Sequence, residues 1–154
     1  MKKVPLREDI FMRGIIAGVI AGLIKDIPSI IVHLSHSDVF PTYWDFSGMI
    51  GFGQVPNTFL NICLAIIVEL GFSITIGIAV VYGISKIKSH HYLLEGGYFG
   101  AAVWFFIRAS MWIFAVKEFN KPQMFAFVIN LTTSIGYGLL IAYIDKLLKN
   151  RQSR

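Results

Sequence analysis

Four long stretches of mostly apolar residues follow one another along the chain. They cover residues 11–33, 60–85, 94–116 and 124–144. Each is long enough for a helix that crosses the hydrocarbon core of a bilayer, which takes about 20 predominantly apolar residues. Lys25, Asp26 and Pro28 interrupt the first stretch, Glu69 lies in the second, and Arg108 lies in the third. The pattern predicts four transmembrane helices.

The composition points to the same class of protein. Hydrophobic residues make up 55% of the 154 residues and charged residues 15%, whereas a soluble domain is roughly 25% charged. A chain this poor in polar residues cannot cover a water-facing surface, which excludes a soluble monomer and a disordered chain. We therefore expect an all-α fold, an integral membrane four-helix bundle. It forms one domain over residues 1–154, with its longest loop between the first two spans.

Most basic residues belong to three segments that a four-span topology places on one side of the membrane. They are Lys2, Lys3, Arg7 and Arg13 near the start, Lys86 and Lys88 after the second span, and Lys146, Lys149, Arg151 and Arg154 at the end. The opposite segment, residues 29–61, has none. The positive-inside rule therefore predicts that both termini are cytoplasmic. The net charge of +5 indicates attraction to anionic lipid headgroups rather than to nucleic acid.

The connection between the first two spans, residues 35–57, is rich in aromatic residues, glycine and proline. Aromatic rings favour the headgroup level of a bilayer, so this segment is either a short interfacial helix or re-entrant turn, or a loose aromatic loop. His33, His36 and Asp38 lie at its start. Three such residues without a fourth ligand favour ordinary interfacial residues over a metal site. We expect neither a metal nor a cofactor.

Small residues form a stripe along the first span. Gly14, Gly18 and Gly22 recur at every fourth position, and this spacing lets another helix approach closely within lipid. We therefore predict that the stripe is a helix-packing surface. The helix that packs on it could belong to the same chain or to a second copy. Besides the lipid bilayer, a homo-oligomer or a membrane protein partner therefore stays open.

Polar residues of the four spans are predicted to share one buried layer. The layer consists of Lys25, Asp26, Glu69, Arg108 and Asn130. At 1.5 Å per residue, all of these except Asp26 lie roughly 4–6 Å from the middle of a span, displaced toward the outside. An unpaired charge at that depth costs at least ~2.5–3.5 kcal/mol, so we expect pairing among the two basic and two acidic side chains. The layer either fixes the register of the helices or handles an ion, a proton or a small solute.

Several short motifs resemble a known family. They are Gly14-Ile15-Ile16-Ala17-Gly18, Leu23-Ile24-Lys25, Phe72-Ser73, Lys86-Ile87-Lys88 and the run from Leu94 to Gly97. Their order along the chain resembles the YagU-like family of small bacterial inner-membrane proteins. The resemblance implies a four-span layout in the bacterial inner membrane, and it implies no particular reaction.

Two functions fit these patterns. The first is a small non-enzymatic membrane protein that handles an ion, a proton or a small solute through its buried polar layer. The alternative is a structural or regulatory membrane subunit that binds a partner through the glycine stripe and the outer aromatic loop. A membrane enzyme ranks behind both, because no nucleophile–base arrangement or metal-ligand motif is visible in the sequence.

Overall fold

The computed structural model describes residues 9–35, 43–87, 91–113 and 124–150. Within these ranges, all regular secondary structure is helical, which confirms the all-α expectation for this part of the chain. The helices are α1 (Ile10–Ser35), α2 (Tyr43–Phe52), α3 (Phe59–Lys86), α4 (Tyr92–Ile113) and α5 (Met124–Asn150).

Two of the described helices are long and apolar enough to cross a membrane, judged by length and composition. They are α3, over Phe59–Lys86, and the part of α5 over Phe127–Asn150. The mean hydropathy of an 18-residue window reaches 2.4 in the first and 1.6 in the second. This finding gives limited support for a membrane protein. The four-span topology stays a prediction.

The four long helices pack as an antiparallel bundle. Helix α1 contacts α3 and α5, while α4 contacts the same two helices, so the four close a ring. The short helix α2 lies against α3. We call the end that holds Ile10, Lys86, Tyr92 and Asn150 the proximal end. The opposite end, where α3 starts after its N-cap Thr58, is the distal end.

Glycines bring α1 and α3 unusually close together. A Cβ atom at Gly14 would lie 2.6 Å from the Cα of Ile78, and one at Gly18 would lie 2.5 Å from the carbonyl oxygen of Ser73. Gly22 faces the side chain of Ser73 at a similar distance. The helix that packs on the predicted glycine stripe is therefore α3 of the same chain.

A second glycine contact joins α4 to α5. A Cβ atom at Gly96 would lie 2.5 Å from the carbonyl oxygen of Gly138, and one at Gly100 would lie even closer to the carbonyl oxygen of Ser134. Each half of the bundle is thus a helix pair held at backbone contact. Such pairs suit an environment in which close packing, rather than the hydrophobic effect, drives helix association.

Apolar side chains fill the proximal half of the bundle. The buried set is Ala17, Ala21, Ile76, Val80, Val81, Ile84, Tyr137, Ile141, Ala142 and Ile144. These residues come from α1, α3 and α5, and α4 adds partly buried Phe99 and Val103 against them. The distal half, by contrast, holds a cavity.

The structure adds two helical features to the predicted spans. The aromatic connection forms the helix α2 over Tyr43–Phe52, so the helical alternative holds there and not the loose loop. Helix α5 continues to Asn150, six residues past the predicted end at Ile144, because its last turns still pack inward. Residues 36–42 and 114–123 lie outside the described residues, and so do the predicted interfacial residues His36 and Asp38.

Candidate functional site

A cavity of about 600 Å³ lies in the distal half of the bundle. All five helices contribute to its lining. Most of the lining is aromatic or aliphatic, with Phe46, Phe72, Trp104 and Ile107 among the larger side chains. A pocket of this size with a few polar groups in an apolar wall is typical of small-molecule sites.

The cavity opens sideways, between the α2–α3 pair and α4. The exposed residues of its lining lie on these elements: Ile50 is 70% exposed, Phe72 44% and Phe106 69%. Helices α3 and α4 meet nearer the proximal end, where the ring of Phe99 lies against Gly83. The opening is therefore a lateral gap whose rim is mostly apolar, with the exposed Ser110 of α4 among its lining residues.

A buried ion pair of α1 and α3 lines one side of the cavity, and we call this side the floor. The ammonium of Lys25 contacts the Glu69 carboxylate and lies 3.1 Å from the carboxylate of Asp26. Ser47 donates a hydrogen bond of 2.5 Å to Glu69 Oε2, and Ser73 donates one of 3.4 Å to Oε1. Glu69, only 6% exposed, thus has partners on α1, α2 and its own helix. The floor satisfies its charges internally.

Two tyrosines complete the surroundings of Lys25. Its Nζ lies 3.9 Å from the ring centroid of Tyr43 and 5.6 Å from that of Tyr137, both within the range of cation–π attraction. The hydroxyl of Tyr137 donates a hydrogen bond of 2.9 Å to the Ser73 carbonyl. Burial raises the pKa of the Tyr43 phenol to about 12, so this ring on the short helix α2 is neutral at physiological pH.

Arg108 and Asn130 line the same cavity from α4 and α5. Neither side chain has an ion pair or hydrogen bond with any other described residue. The predicted pairing of Arg108 with Glu69 or Asp26 is therefore not formed, because Lys25 already contacts both carboxylates. The guanidinium of Arg108 instead lies at the cavity wall without an ion pair to a described residue.

A second ionic network lies at the proximal end. Arg13 Nε donates to Asp145 Oδ1 at 2.7 Å, and the hydroxyl of Tyr92 donates to the other oxygen of the same carboxylate. Lys149 Nζ lies 2.7 Å from the Tyr92 hydroxyl and 3.7 Å from Asp145 Oδ2. Arg13 is 2% exposed and Asp145 is fully buried. The network ties α1, α4 and α5 together where the first and last helices meet.

Close to this network, Glu95 follows Tyr92 by three residues on α4. Both of its carboxylate oxygens are buried, and neither has a hydrogen-bond partner among the described residues. The Ser85 hydroxyl near the end of α3 is in the same state. A buried carboxylate without a hydrogen-bond partner is costly, and Glu95 therefore differs from Asp145, whose two oxygens both accept hydrogen bonds.

Sequence reasoning found the floor of the cavity and missed the proximal network. Lys25, Asp26 and Glu69 come together as a cluster, while Arg108 and Asn130 share only the cavity with it. The charge pattern indicates only a topological role for Arg13 and Lys149, and it does not single out Asp145. One signal was available, because Asp145 follows Ile141 by one helical turn and so lies on an inward face.

Among the described residues, no three histidine, cysteine, aspartate or glutamate side chains are grouped so that they could hold a metal ion. Cys63 is a free, half-buried thiol on α3. The chain matches no protein-family model, no curated protein and no solved structure. The cavity and its contacts are therefore the basis for any functional conclusion.

Proposed function

We propose that this chain is a multi-pass membrane protein whose distal cavity binds a small solute with an apolar body and a polar group. The observation that carries the proposal is the cavity itself, about 600 Å³ in volume and largely apolar, with Lys25, Glu69, Arg108 and Asn130 in its wall. A few polar groups in an apolar pocket orient a ligand while its burial provides affinity. No catalytic step forms part of the proposal.

The outer surface of the bundle supports a membrane location. Large apolar side chains point outward on each long helix, among them Ile31 (59% exposed), Ile67 (65%), Phe105 (62%) and Val128 (52%). Soluble monomers rarely expose apolar patches of more than a few hundred Å². The surface therefore fits lipid better than water.

The charged residues of α1 are placed in a way that is compatible with a membrane-spanning helix. Arg13, Lys25 and Asp26 all turn toward the bundle interior and are ion-paired. At 1.5 Å per residue, the 26 residues of α1 and the 22 of α4 give lengths of roughly 33–39 Å, and the bilayer core is about 30 Å thick. In this proposal all four long helices cross the membrane. The proximal end faces the cytoplasm, in the inner membrane of a bacterium.

Binding is favoured over conduction. A conduction path needs polar groups or water that continue across the bundle. In the proximal half, buried Val80, Ile84 and Ile141 pack together instead and do not line the cavity. The cavity is therefore closed toward the proximal end, as a binding pocket is and a conduction path is not.

The alternative, a structural or regulatory subunit, has less support than the binding of a solute. It predicts that a partner binds through Gly14, Gly18 and Gly22 and through the outer aromatic loop. Those glycines are covered by α3 of the same chain, so a partner would have to use the aromatic segment or another surface. The resemblance to the YagU-like family stays a prediction and supplies no ligand.

The test uses the full chain in lipid nanodiscs and a neutral brominated amphiphile, 11-bromoundecanol. Bromine quenches nearby indoles, and Trp104 lines the cavity. We expect saturable quenching that unbrominated undecanol reverses. Trp104→Phe should remove this saturable component and leave the background from partitioning into lipid.

A matched pair of variants locates the binding site. Val103→Phe fills the cavity, and we expect it to weaken binding roughly tenfold. Val128→Phe makes the same change on the outer surface, where Val128 is 52% exposed and outside the cavity lining, and should leave binding unchanged. Equal quenching curves for both variants would contradict the proposal.

A further inference from the structure

The charges of the cavity wall specify the ligand further. Lys25, Glu69 and Arg108 are the ionisable lysine, arginine and carboxylate side chains in the described lining. Two are cationic and one is anionic, and with Asp26 the formal charges of the group sum to zero. Asp26 offsets the charge of Lys25 from behind the floor, at 3.1 Å, and does not line the cavity.

The positive charge of Arg108 has no ion pair among the described residues. The Glu69 carboxylate already accepts bonds from Lys25, Ser47 and Ser73, which leaves it little capacity for a ligand. Arg108 has no ion pair and no side-chain hydrogen bond with any described residue. Asn130 adds an amide from α5 that also has no hydrogen bond with a described residue. A guanidinium presents several N–H donors in a planar fork, which suits oxyanions.

The apolar opening of the cavity favours a ligand that has an apolar tail. The gap between α2–α3 and α4 is rimmed by exposed Ile50, Phe72 and Phe106. In a membrane-embedded bundle such a gap faces acyl chains. A ligand that enters there keeps its apolar part in an apolar medium while its head reaches the polar residues inside.

We propose that the cavity binds a single-tailed amphiphile with an anionic headgroup, and that Arg108 with Asn130 holds the head while Phe46, Trp104 and Ile107 surround the tail. This inference rests on the proposed function and names the ligand class for the same site. A phospholipid of the bilayer could present the same headgroup chemistry, so the experiment separates these two sources.

The experiment compares three probes with one tail: 11-bromoundecyl sulfate, 11-bromoundecanol and 11-bromoundecyltrimethylammonium. Each is titrated into wild-type protein in phosphatidylcholine nanodiscs, with Trp104 quenching as the readout. We expect the sulfate to bind roughly tenfold more tightly than the alcohol, as for a charge-assisted hydrogen bond. The trimethylammonium probe should bind most weakly. Equal affinities for the sulfate and the alcohol would overturn the inference.

The variant Arg108→Gln tests whether Arg108 holds the anionic headgroup. We expect it to abolish the preference for the sulfate while the affinity for the alcohol stays unchanged, which also shows that the cavity is intact. Arg108→Lys should keep part of the preference. Lys86→Gln removes an exposed charge at the proximal end and should change neither affinity. A sulfate preference that survives in Arg108→Gln would overturn the assignment.

A second set of nanodiscs contains phosphatidylglycerol. If the anionic lipid weakens sulfate binding to wild type and not to Arg108→Gln, a bilayer phospholipid occupies the site. If it has no effect, the ligand is a free single-tailed amphiphile. Alcohol binding without sulfate preference refutes only the anionic headgroup. Failure of both probes to show binding that depends on Val103 refutes the proposed function as well.

Discussion

Individual residues in this protein form two buried charge networks with different consequences. At the proximal end, Asp145 accepts bonds from Arg13 and Tyr92 and joins helices that are distant in sequence. At the cavity floor, Glu69 accepts from Lys25 and Ser47. The first network lies in a packed interior, so its integrity governs folding. The second borders a cavity, so its integrity also shapes a binding site.

Removal of the buried carboxylate at the proximal end should be strongly destabilising. Asp145→Asn removes the carboxylate that contacts the guanidinium of Arg13, 2% exposed, and the loss of one partner of a buried ion pair costs about 3–5 kcal/mol. Unfolding by a denaturing detergent at increasing mole fraction measures the change. Lys149→Gln is the control, because its side chain is 32% exposed and such a pair contributes at most about 1 kcal/mol.

The double variant Arg13→Gln with Asp145→Asn tests whether the two residues act as a pair. It should cost less than the sum of the two single changes, because no charge is left unpaired. Strict additivity of the free energies would show that Arg13 and Asp145 contribute independently, contrary to the geometry.

The sequence could predict the cavity floor and could not predict the proximal network, for a physical reason. A charge in the middle of an apolar stretch must be buried or paired, so Lys25 and Glu69 stand out. Arg13 lies near a helix end, where basic residues are common on the cytoplasmic side. Nothing local distinguishes an exposed arginine there from one that turns inward to Asp145, 132 residues away.

At the scale of the helices, glycine contacts set which elements pair. Helices α1 and α3 meet at Gly18 and Ser73, and α4 and α5 meet at Gly100 and Ser134. The spacing in α1 predicted a packing surface, since small residues four apart share one face. The sequence could not say which helix would fill it, because several helices have small residues. The helix α2 was one of two open alternatives, since glycine and proline obscured its pattern.

Glycine-to-alanine changes should separate contact glycines from open ones. At Gly18 the new methyl would lie 2.5 Å from the Ser73 carbonyl oxygen, and we expect a loss of about 1–3 kcal/mol in stability. At Gly71, also within a helix, nothing lies within 4 Å, and alanine should be neutral or stabilising by up to about 1 kcal/mol. Detergent unfolding of both variants checks this, and equal effects would contradict the packing assigned to α1.

At the scale of the whole molecule, the chain is a ring of four helices with a closed proximal half and a cavity in its distal half. Apolar residues face outward along the bundle, and charged residues of α1 face inward. These two features together favour a lipid environment. The apolar stretches of the sequence predicted that apolar residues face outward. The cavity depends on where α2 packs, so it could not be predicted from the sequence pattern.

The proposed topology predicts that both termini lie on the cytoplasmic side. Epitope tags at the two ends should resist protease in intact bacterial cells stripped of their outer membrane, and both should be cleaved after lysis. The physical basis is the concentration of lysine and arginine at the proximal end. Digestion of either tag before lysis would contradict four membrane crossings with this orientation.

The most direct test of the central claim, that the distal cavity binds a solute with an apolar body and a polar group, is photo-crosslinking in nanodiscs. The probe is a neutral undecanol that carries a diazirine in its tail, and the sites of attachment are read by mass spectrometry. The account predicts attachment concentrated on Phe46, Trp104 and Ile107, which undecanol suppresses and Val103→Phe reduces. Attachment confined to outward-facing residues such as Phe105 and Val128, without competition by undecanol, would contradict it.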